Sequence, residues 1–241
     1  MKAISLGLLL FAAPAAAKEA RLAIVIDDFG YDPKGTPPDA EWYALPWAFT
    51  AAIMPESPRS AKSAAEAVAS KKEHILHFPF DPFLTLKLSS GAVDSADQAV
   101  VSKLLDKSLL QVAGVRGLNN HRSYRATMNQ PLMEWFAGRL KEKGLFFVDS
   151  RVSGKTIAFA EARRVGVPAA INDFFLDTGP KSGEAFCRRW LDAGAAVARK
   201  RGSAIVIGHH YFRSTLECLK KRVPELQASG IEFVPLSQLV H

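Results

Sequence analysis

The chain has 241 residues, 48% of them hydrophobic, with 31 Lys and Arg against 24 Asp and Glu for a formal charge of +7. That apolar content is enough for a packed core and argues against a disordered or low-complexity chain. The basic residues come in short clusters, Arg163-Arg164, Arg188-Arg189, Arg199-Lys200-Arg201 and Lys220-Lys221-Arg222, each in a helix-like stretch. Solvated outer faces account for such clusters, with attraction to an anionic envelope or polysaccharide as the sharper alternative. Nucleic acid is excluded as a partner because no recognition motif accompanies the charge.

In chain order, Lys2, an apolar stretch over residues 3–13 and Pro14-Ala15-Ala16-Ala17 have the form of a secretory signal peptide. Residues 1–17 are therefore an expected leader and 18–241 an expected single domain of a secreted protein, placed in the periplasm. The apolar stretch falls short of the roughly 20 residues a membrane-spanning helix needs. No later segment reaches that length without charges, so no integral membrane segment is expected after leader removal.

Apolar, β-branched runs predict strands over 22–27, 48–54, 74–78, 115–118, 145–148, 168–171, 204–207 and 231–234. Helical patterns fall between them, near 40–44, 59–71, 95–111, 130–143, 157–165, 183–201 and 214–227. Gly144, Gly166 and Gly202 each stand just past a helix and just before a strand, the expected chemistry of an αβ connection. Seven or eight β/α units in one chain give either a (β/α) barrel or a doubly wound open sheet. No Gly-x-Gly-x-x-Gly follows the first strand, which disfavours the dinucleotide-binding form. A distorted barrel of seven to eight strands is the expected fold.

The predicted strands end on polar residues to an unusual degree. Ile26 is followed by Asp27-Asp28, Leu76 by His77, Leu118 by Asn119-Asn120-His121, Val148 by Asp149-Ser150-Arg151, Ile171 by Asn172-Asp173, and Ile207 by Gly208-His209-His210. In parallel α/β folds the carboxyl ends of the strands converge on one face, where active sites sit. Adjacent Asp27 and Asp28 repel unless a cation offsets them. A helix-capping role is the simpler alternative for such a residue, but Phe29-Gly30-Tyr31-Asp32-Pro33 reads as a loop. A lone His at a strand end is often only a satisfied hydrogen-bonding residue. His77 and His121, on consecutive predicted strands, together with one carboxylate would make an open three-ligand metal site. His209 and His210 stand elsewhere in the order, available for proton transfer. Cys187 and Cys218 lie on consecutive predicted helices, where geometry decides whether they pair.

The runs Ala23-Ile-Val-Ile-Asp-Asp-Phe-Gly30, His74-Ile-Leu-His-Phe-Pro-Phe-Asp-Pro82, Gly117-Leu-Asn-Asn-His121, Phe147-Val-Asp-Ser-Arg151, Phe175-Leu-Asp177 and Ala204-Ile-Val-Ile-Gly-His209 resemble the divergent polysaccharide deacetylase family. The resemblance runs from about Arg21 to Leu236 with every motif in order. It implies a distorted (β/α) barrel, one divalent metal, usually zinc, and hydrolysis of acetyl groups on a polysaccharide. By position it implies Asp28, His77 and His121 as metal ligands, Asp27 as general base and His209 as general acid. It further implies Asp149 and Arg151 as groups orienting the base. Asp81 stands where related enzymes have a second imidazole, leaving its part in ligation or substrate binding open. Asn119 and Asn120 could hydrogen-bond sugar, steady His121 or serve the backbone turn. Among aromatic residues near the strand ends, Phe29, Tyr31, Phe78, Phe80, Phe83, Tyr124 and Tyr211 could stack on sugar or pack beneath loops.

The chain departs from the family pattern at Arg122-Ser123-Tyr124, at His210-Tyr211 and at Asn172. The departures at Arg122-Ser123-Tyr124 and His210 sustain a second reading, a catalytically silent relative that binds glycan or an envelope partner. A phosphoester hydrolase is a third, but a two-metal site would need more ligands than the motifs supply.

Overall fold

The computed structural model describes residues 20–179 and 182–241; the expected leader over 1–17 lies outside them. Strands and helices alternate along the chain. The first half contains β1 (Ala20–Phe29), α1 (Asp39–Tyr43), β2 (Thr50–Ile53), α2 (Ser60–Ala69), β3 (Glu73–Pro79), α3 (Ser95–Gln111), β4 (Gly117–His121) and α4 (Gln130–Glu142). The second contains β5 (Phe146–Asp149), α5 (Ala158–Val165), β6 (Ala169–Ile171), β7 (Phe174–Phe175), α6 (Glu184–Arg201), β8 (Ser203–His209), α7 (Arg213–Ala228) and β9 (Ile231–Phe233).

Eight strands form one curled, parallel path, β6-β5-β4-β3-β2-β1-β8-β7. β9 pairs with the first residues of β1, Ala20 to Leu22, on the edge that β2 occupies further along, from Val25 to Phe29. The sheet is the distorted barrel expected from the sequence, and it is closed by chain rather than by a ladder. Asn172 N–H donates to Asp149 O at the end of β5, and the next residue, Asp173, donates to Ile205 O of β8, both at 2.9 Å. Two consecutive residues thus bridge the two edges.

Strand alternation divides the apolar residues into two layers. Leu22, Ile24, Ile26, Leu76, Phe78 and Leu118 face outward and pack with Phe136, Leu191 and Leu219 of the helices. Ala23, Val25, Ala52, Ile75, Val148 and Ile207 face inward and form a separate core inside the barrel. Each fully buried Ile or Leu contributes about 1.5–3 kcal/mol. Gly117 is required by this inner layer, because a Cβ there would stand 2.2 Å from the Phe146 ring.

Cys187 on α6 and Cys218 on α7, 6.3 Å apart at Cα, form a disulfide. The basic clusters lie on outer helices, where Arg188–Glu225, Lys221–Glu184 and Arg222–Asp192 ion pairs engage part of the charge. No helix among the described residues is long and apolar enough to cross a membrane.

Candidate metal centre and catalytic cleft

The alternation that puts Ala23 and Val25 inside the barrel puts Asp27 inside at its carboxyl end, in register with His209 of β8. On β3 it puts His77 inside above Ile75, in register with Asn119, while His121 pairs with Pro79 two residues further on. Asp28 should by the same rule point outward. It does not, because the β1–β2 register shifts between Ile26 and Phe29 and Asp28 takes φ 68°. A bulge of this kind re-aims a side chain. Here it turns a second carboxylate into the mouth beside the first.

The result is a compact cluster. Asp28 Oδ1 lies 3.0 Å from His121 Nδ1 and 3.3 Å from His77 Nε2, and the two ring nitrogens are 2.9 Å apart. Asp27 Oδ2 is 3.5 Å from His77 Nε2. Asn119 organises the set from behind. Its Oδ1 lies 2.7 Å from His77 Nδ1, and its amide donates to Asp27 Oδ1 at 2.8 Å and to Ser150 Oγ at 3.1 Å. With Nδ1 engaged, His77 turns Nε2 to the cluster, as outer-shell partners of metal-binding imidazoles do.

These residues fit a divalent cation. Asp28 Oδ1 is buried without a properly directed hydrogen bond, although two imidazole nitrogens face it. Ligands at about 2.0–2.1 Å from a tetrahedral zinc ion stand roughly 3.3 Å from one another, close to the separations here. Asp28, His77 and His121 are the group of potential metal ligands that the described residues bring together. The remaining positions would stay open to water or substrate.

The electrostatics of the metal-free cluster agree with its geometry. Burial alone would raise Asp28, but the His121 and His77 imidazoles that face it reverse this and hold its carboxyl well below the usual range. Burial raises Asp27, with Asp28 adding to the effect and His77 and His209 opposing it. Burial disfavours the His77 imidazolium, yet Asp27 and Asp28 carry it above its ordinary value. His121 is lowered by burial and by the charge of His77. Asp28 and His121 therefore already favour ligating states, and His77 would release a proton on binding a cation.

His209 faces the same cleft from β8. Its Nδ1 lies 2.6 Å from Asp177 Oδ1, and Asp177 Oδ2 accepts from the His209 backbone N–H and from Thr215 Oγ1, both at 2.7 Å. Burial would lower the His209 imidazolium, but Asp177, aided by Asp27 and Asp28, raises it to about 9. The cleft encloses about 500 Å³ and is lined by Asp27, Asp28, His77, His121 and His209, with Arg122, Tyr124, Arg151 and Tyr211 around them.

Other expected site residues are placed elsewhere. Asp81 does not reach the cluster, because its carboxylate accepts from the backbone N–H groups of Arg125 and Ala126 at 3.1 and 2.8 Å. Asp149 does not meet Asp27 either. Val148 faces inward, so Asp149 points outward beneath α5, where it accepts from Arg151 N–H, Thr156 Oγ1 and Phe159 N–H. Arg151 lines the cleft without a bond to Asp27, and Asn119 is the group that holds the Asp27 carboxylate. Asn120 Oδ1 accepts from Ser150 N–H and its amide donates to Arg122 O, so it ties two loops together at the cleft edge. His210 is fully buried, 4.3 Å from the Phe29 ring, with Nε2 2.9 Å from Asp39 Oδ1. It belongs to the outer core and is withdrawn from proton transfer. Phe29, Phe78 and Phe80 are core residues as well, whereas Tyr31, Phe83 and Tyr124 are about half exposed.

Asp177 was absent from the expected catalytic set. Its only signal was the Phe175-Leu176-Asp177 motif, which starts at the end of a two-residue strand too short to recognise from its pattern.

Residues 24–240 match the divergent polysaccharide deacetylase family. The chain belongs to that family. A protein of Haemophilus influenzae is 34% identical over 192 residues, 79% of this chain and 67% of its own. The structure of a protein of Agrobacterium tumefaciens aligns with TM-score 0.80 and 24% identity, covering 95% of this chain and 92% of its own. The catalytic domain of a peptidoglycan N-acetylglucosamine deacetylase from Eubacterium rectale aligns with TM-score 0.57 and 12% identity, covering 94% and 92% of the two chains. The last two likenesses are likenesses of fold.

Proposed function

We propose that the protein is a metal-dependent hydrolase that removes acetyl groups from an envelope or extracellular polysaccharide. The observation that carries this reading is the meeting of Asp28, His77 and His121 in one cleft, with Asp27 and the His209–Asp177 pair beside them. Membership in the family and the fold shared with a peptidoglycan deacetylase support it. Export to the periplasm is proposed from the leader-like residues 1–17 and from the Cys187–Cys218 disulfide, which an oxidising compartment sustains.

Asp28, His77 and His121 would hold a divalent ion such as Zn²⁺. When bound, the ion supplies Lewis-acid polarisation of the acetyl carbonyl and of a water, worth several kcal/mol. Asp27, steadied by Asn119 and made more basic by burial, accepts a proton from the attacking water. A placed base of this kind contributes about 10²–10⁴-fold. His209, kept protonated at neutral pH by Asp177, donates its proton to the amine or hydroxyl that departs. The bond from the sugar nitrogen or oxygen to the acetyl carbon breaks, and acetate leaves.

The test is acetate release from N- and O-acetylated envelope glycans, measured beside metal content. The expected outcome is turnover that falls about 10²–10⁴-fold in Asp27→Asn, with metal still bound. Unchanged turnover in that variant would remove Asp27 as the base. A metal-loaded protein that binds these glycans and releases no acetate would instead be the silent relative.

A further inference from the structure

Two cationic side chains of the cleft have no part in the chemistry above. The last register pair of β4 and β5 is Asn119 with Val148, and Arg122 and Arg151 each stand three residues past it. Adjacent strands run about 4.8 Å apart, so the two positions come to the same height on one wall, and both residues line the cleft. The backbone that carries them is fixed. Asn120 joins the two loops, accepting from Ser150 N–H at 2.9 Å and donating to Arg122 O at 3.1 Å. Ser123 Oγ accepts from Phe80 N–H at 3.1 Å, and Arg151 N–H donates to Asp149 at 2.8 Å. Arg122 takes φ 49° and Arg151 φ 54°, a left-handed conformation that glycine or asparagine adopts at lower cost.

Solvation of two exposed arginines at a rim is the simpler account of their charge. It leaves the charge balance of the cleft unexplained. Asp27 and Asp28 face His77 and His121, Asp177 faces His209, and neither guanidinium is in an ion pair among the described residues. With a divalent ion bound, that ion and the His209 imidazolium match the three carboxylates, and Arg122 and Arg151 are uncompensated. Arg122 lies 6.0 Å from the Phe83 ring centre, and its charge is felt at Tyr211, just past β8. Burial, Asp28 and Asp177 push the Tyr211 hydroxyl up, and Arg122 opposes them. A guanidinium is a planar fork of donors that matches the oxygens of a carboxylate or a phosphate.

We propose that Arg122 and Arg151 together bind an acidic group on the substrate, so that the sugar whose acetyl group is removed carries a carboxylate or a phosphate. The proposal rests on the deacetylase reading and makes the two arginines its specificity determinants. A neutral acetylated sugar is then the poorer ligand.

The probes are N-acetylglucosamine, N-acetylmuramic acid, the methyl ester of that acid and N-acetylglucosamine 6-phosphate. Each is titrated calorimetrically into the metal-loaded protein, with acetate release measured in parallel. At least one acid is expected to bind about tenfold or more tightly than the neutral sugar and the ester, as hydrogen bonds between charged groups do. The tighter of the two acids names the group. Arg122→Gln and Arg151→Gln should each lower the preference, and the double variant should bring it within about twofold of parity. Arg122→Lys keeps the charge without the fork and should recover part of what Arg122→Gln loses. The comparison is made on variants that circular dichroism shows to be folded and elemental analysis shows to hold metal, and each single variant carries the test alone. Equal affinity for acids and neutral sugars overturns the arginine pair, as does a preference for acid that survives in both single variants, or a failure of every probe to bind. Arginine-dependent preference without acetate release defeats the deacetylase reading and leaves the pair standing. Acetate release that is indifferent to the acidic group does the reverse.

Discussion

In the lower part of the barrel the inward positions are Ala23 and Val25 on β1, Ile75 on β3, Phe146 on β5 and Ile205 on β8, an apolar layer on regular strands. Along the same strands, or just past their ends, the inward positions become Asp27, His77, Ser150 and His209, all lining one cleft. Backbone regularity fails there too, since Asp28, Arg122, Ser123 and Arg151 all have positive φ. The lower half is built as a core and spends nothing on chemistry. The upper half buries carboxylates and imidazoles whose desolvation is offset by one another and by a few neutral partners such as Asn119 and Thr215, a cost characteristic of functional sites. The two ends should therefore respond to mutation in opposite ways.

The largest separation is expected from the ligand positions. Asp28→Ala and His121→Ala should lose the bound metal and reduce acetate release by at least ~10²–10³-fold, while the metal-free protein still folds. Elemental analysis beside thermal unfolding checks both halves, and full metal content in either variant would remove that residue from the site. At the other end, Ile205→Ala should cost about 2–5 kcal/mol in denaturant unfolding by opening a cavity, with metal content unchanged. Loss of metal in folded Ile205→Ala would mean that the two ends are coupled.

A pH experiment sharpens the same contrast. The His209 imidazolium is raised to about 9 in the folded chain, against about 6.5 when unfolded. The native state thus binds the proton more tightly. The stabilisation, on the order of 3 kcal/mol, is fully present below about pH 6.5 and is lost as pH rises through about 9. The stability gap between wild type and His209→Asn in metal-free protein should narrow across that window; a gap independent of pH would separate His209 from Asp177. The smallest effect belongs to Asn119→Ala. It should weaken metal affinity by about 10–100-fold, as loss of an outer-shell partner does, and unchanged affinity in a calorimetric titration would reduce Asn119 to packing.

Much of this was legible in the residues. Apolar, β-branched runs located the long strands, and polar residues at their ends marked the mouth, because strand preference and the polar stops follow from residue type. The two-residue strand Phe174–Phe175 left no periodic trace, and with it went the pairing of Asp177 to His209. Asp81, Asp149 and His210 had the same sequence signature as the cluster residues, yet Asp81 and Asp149 satisfy backbone donors and His210 is held in the outer core beside Asp39. A carboxylate's type says that it needs partners; only the folded loops say which partners reach it.

The order of amino acids by itself determined a parallel β/α architecture, the family, and the shortlist from which the site is drawn, since these depend on residue type and spacing. Tertiary structure alone decided which members of that shortlist meet. It did so through the bulge that turns Asp28 inward, the packing of α6 on α7 that joins Cys187 to Cys218, and the bridging of β5 and β8 by Asn172 and Asp173. Each of these is a contact between segments far apart in the chain or a local break in regular backbone, and neither is written in a strand's own pattern.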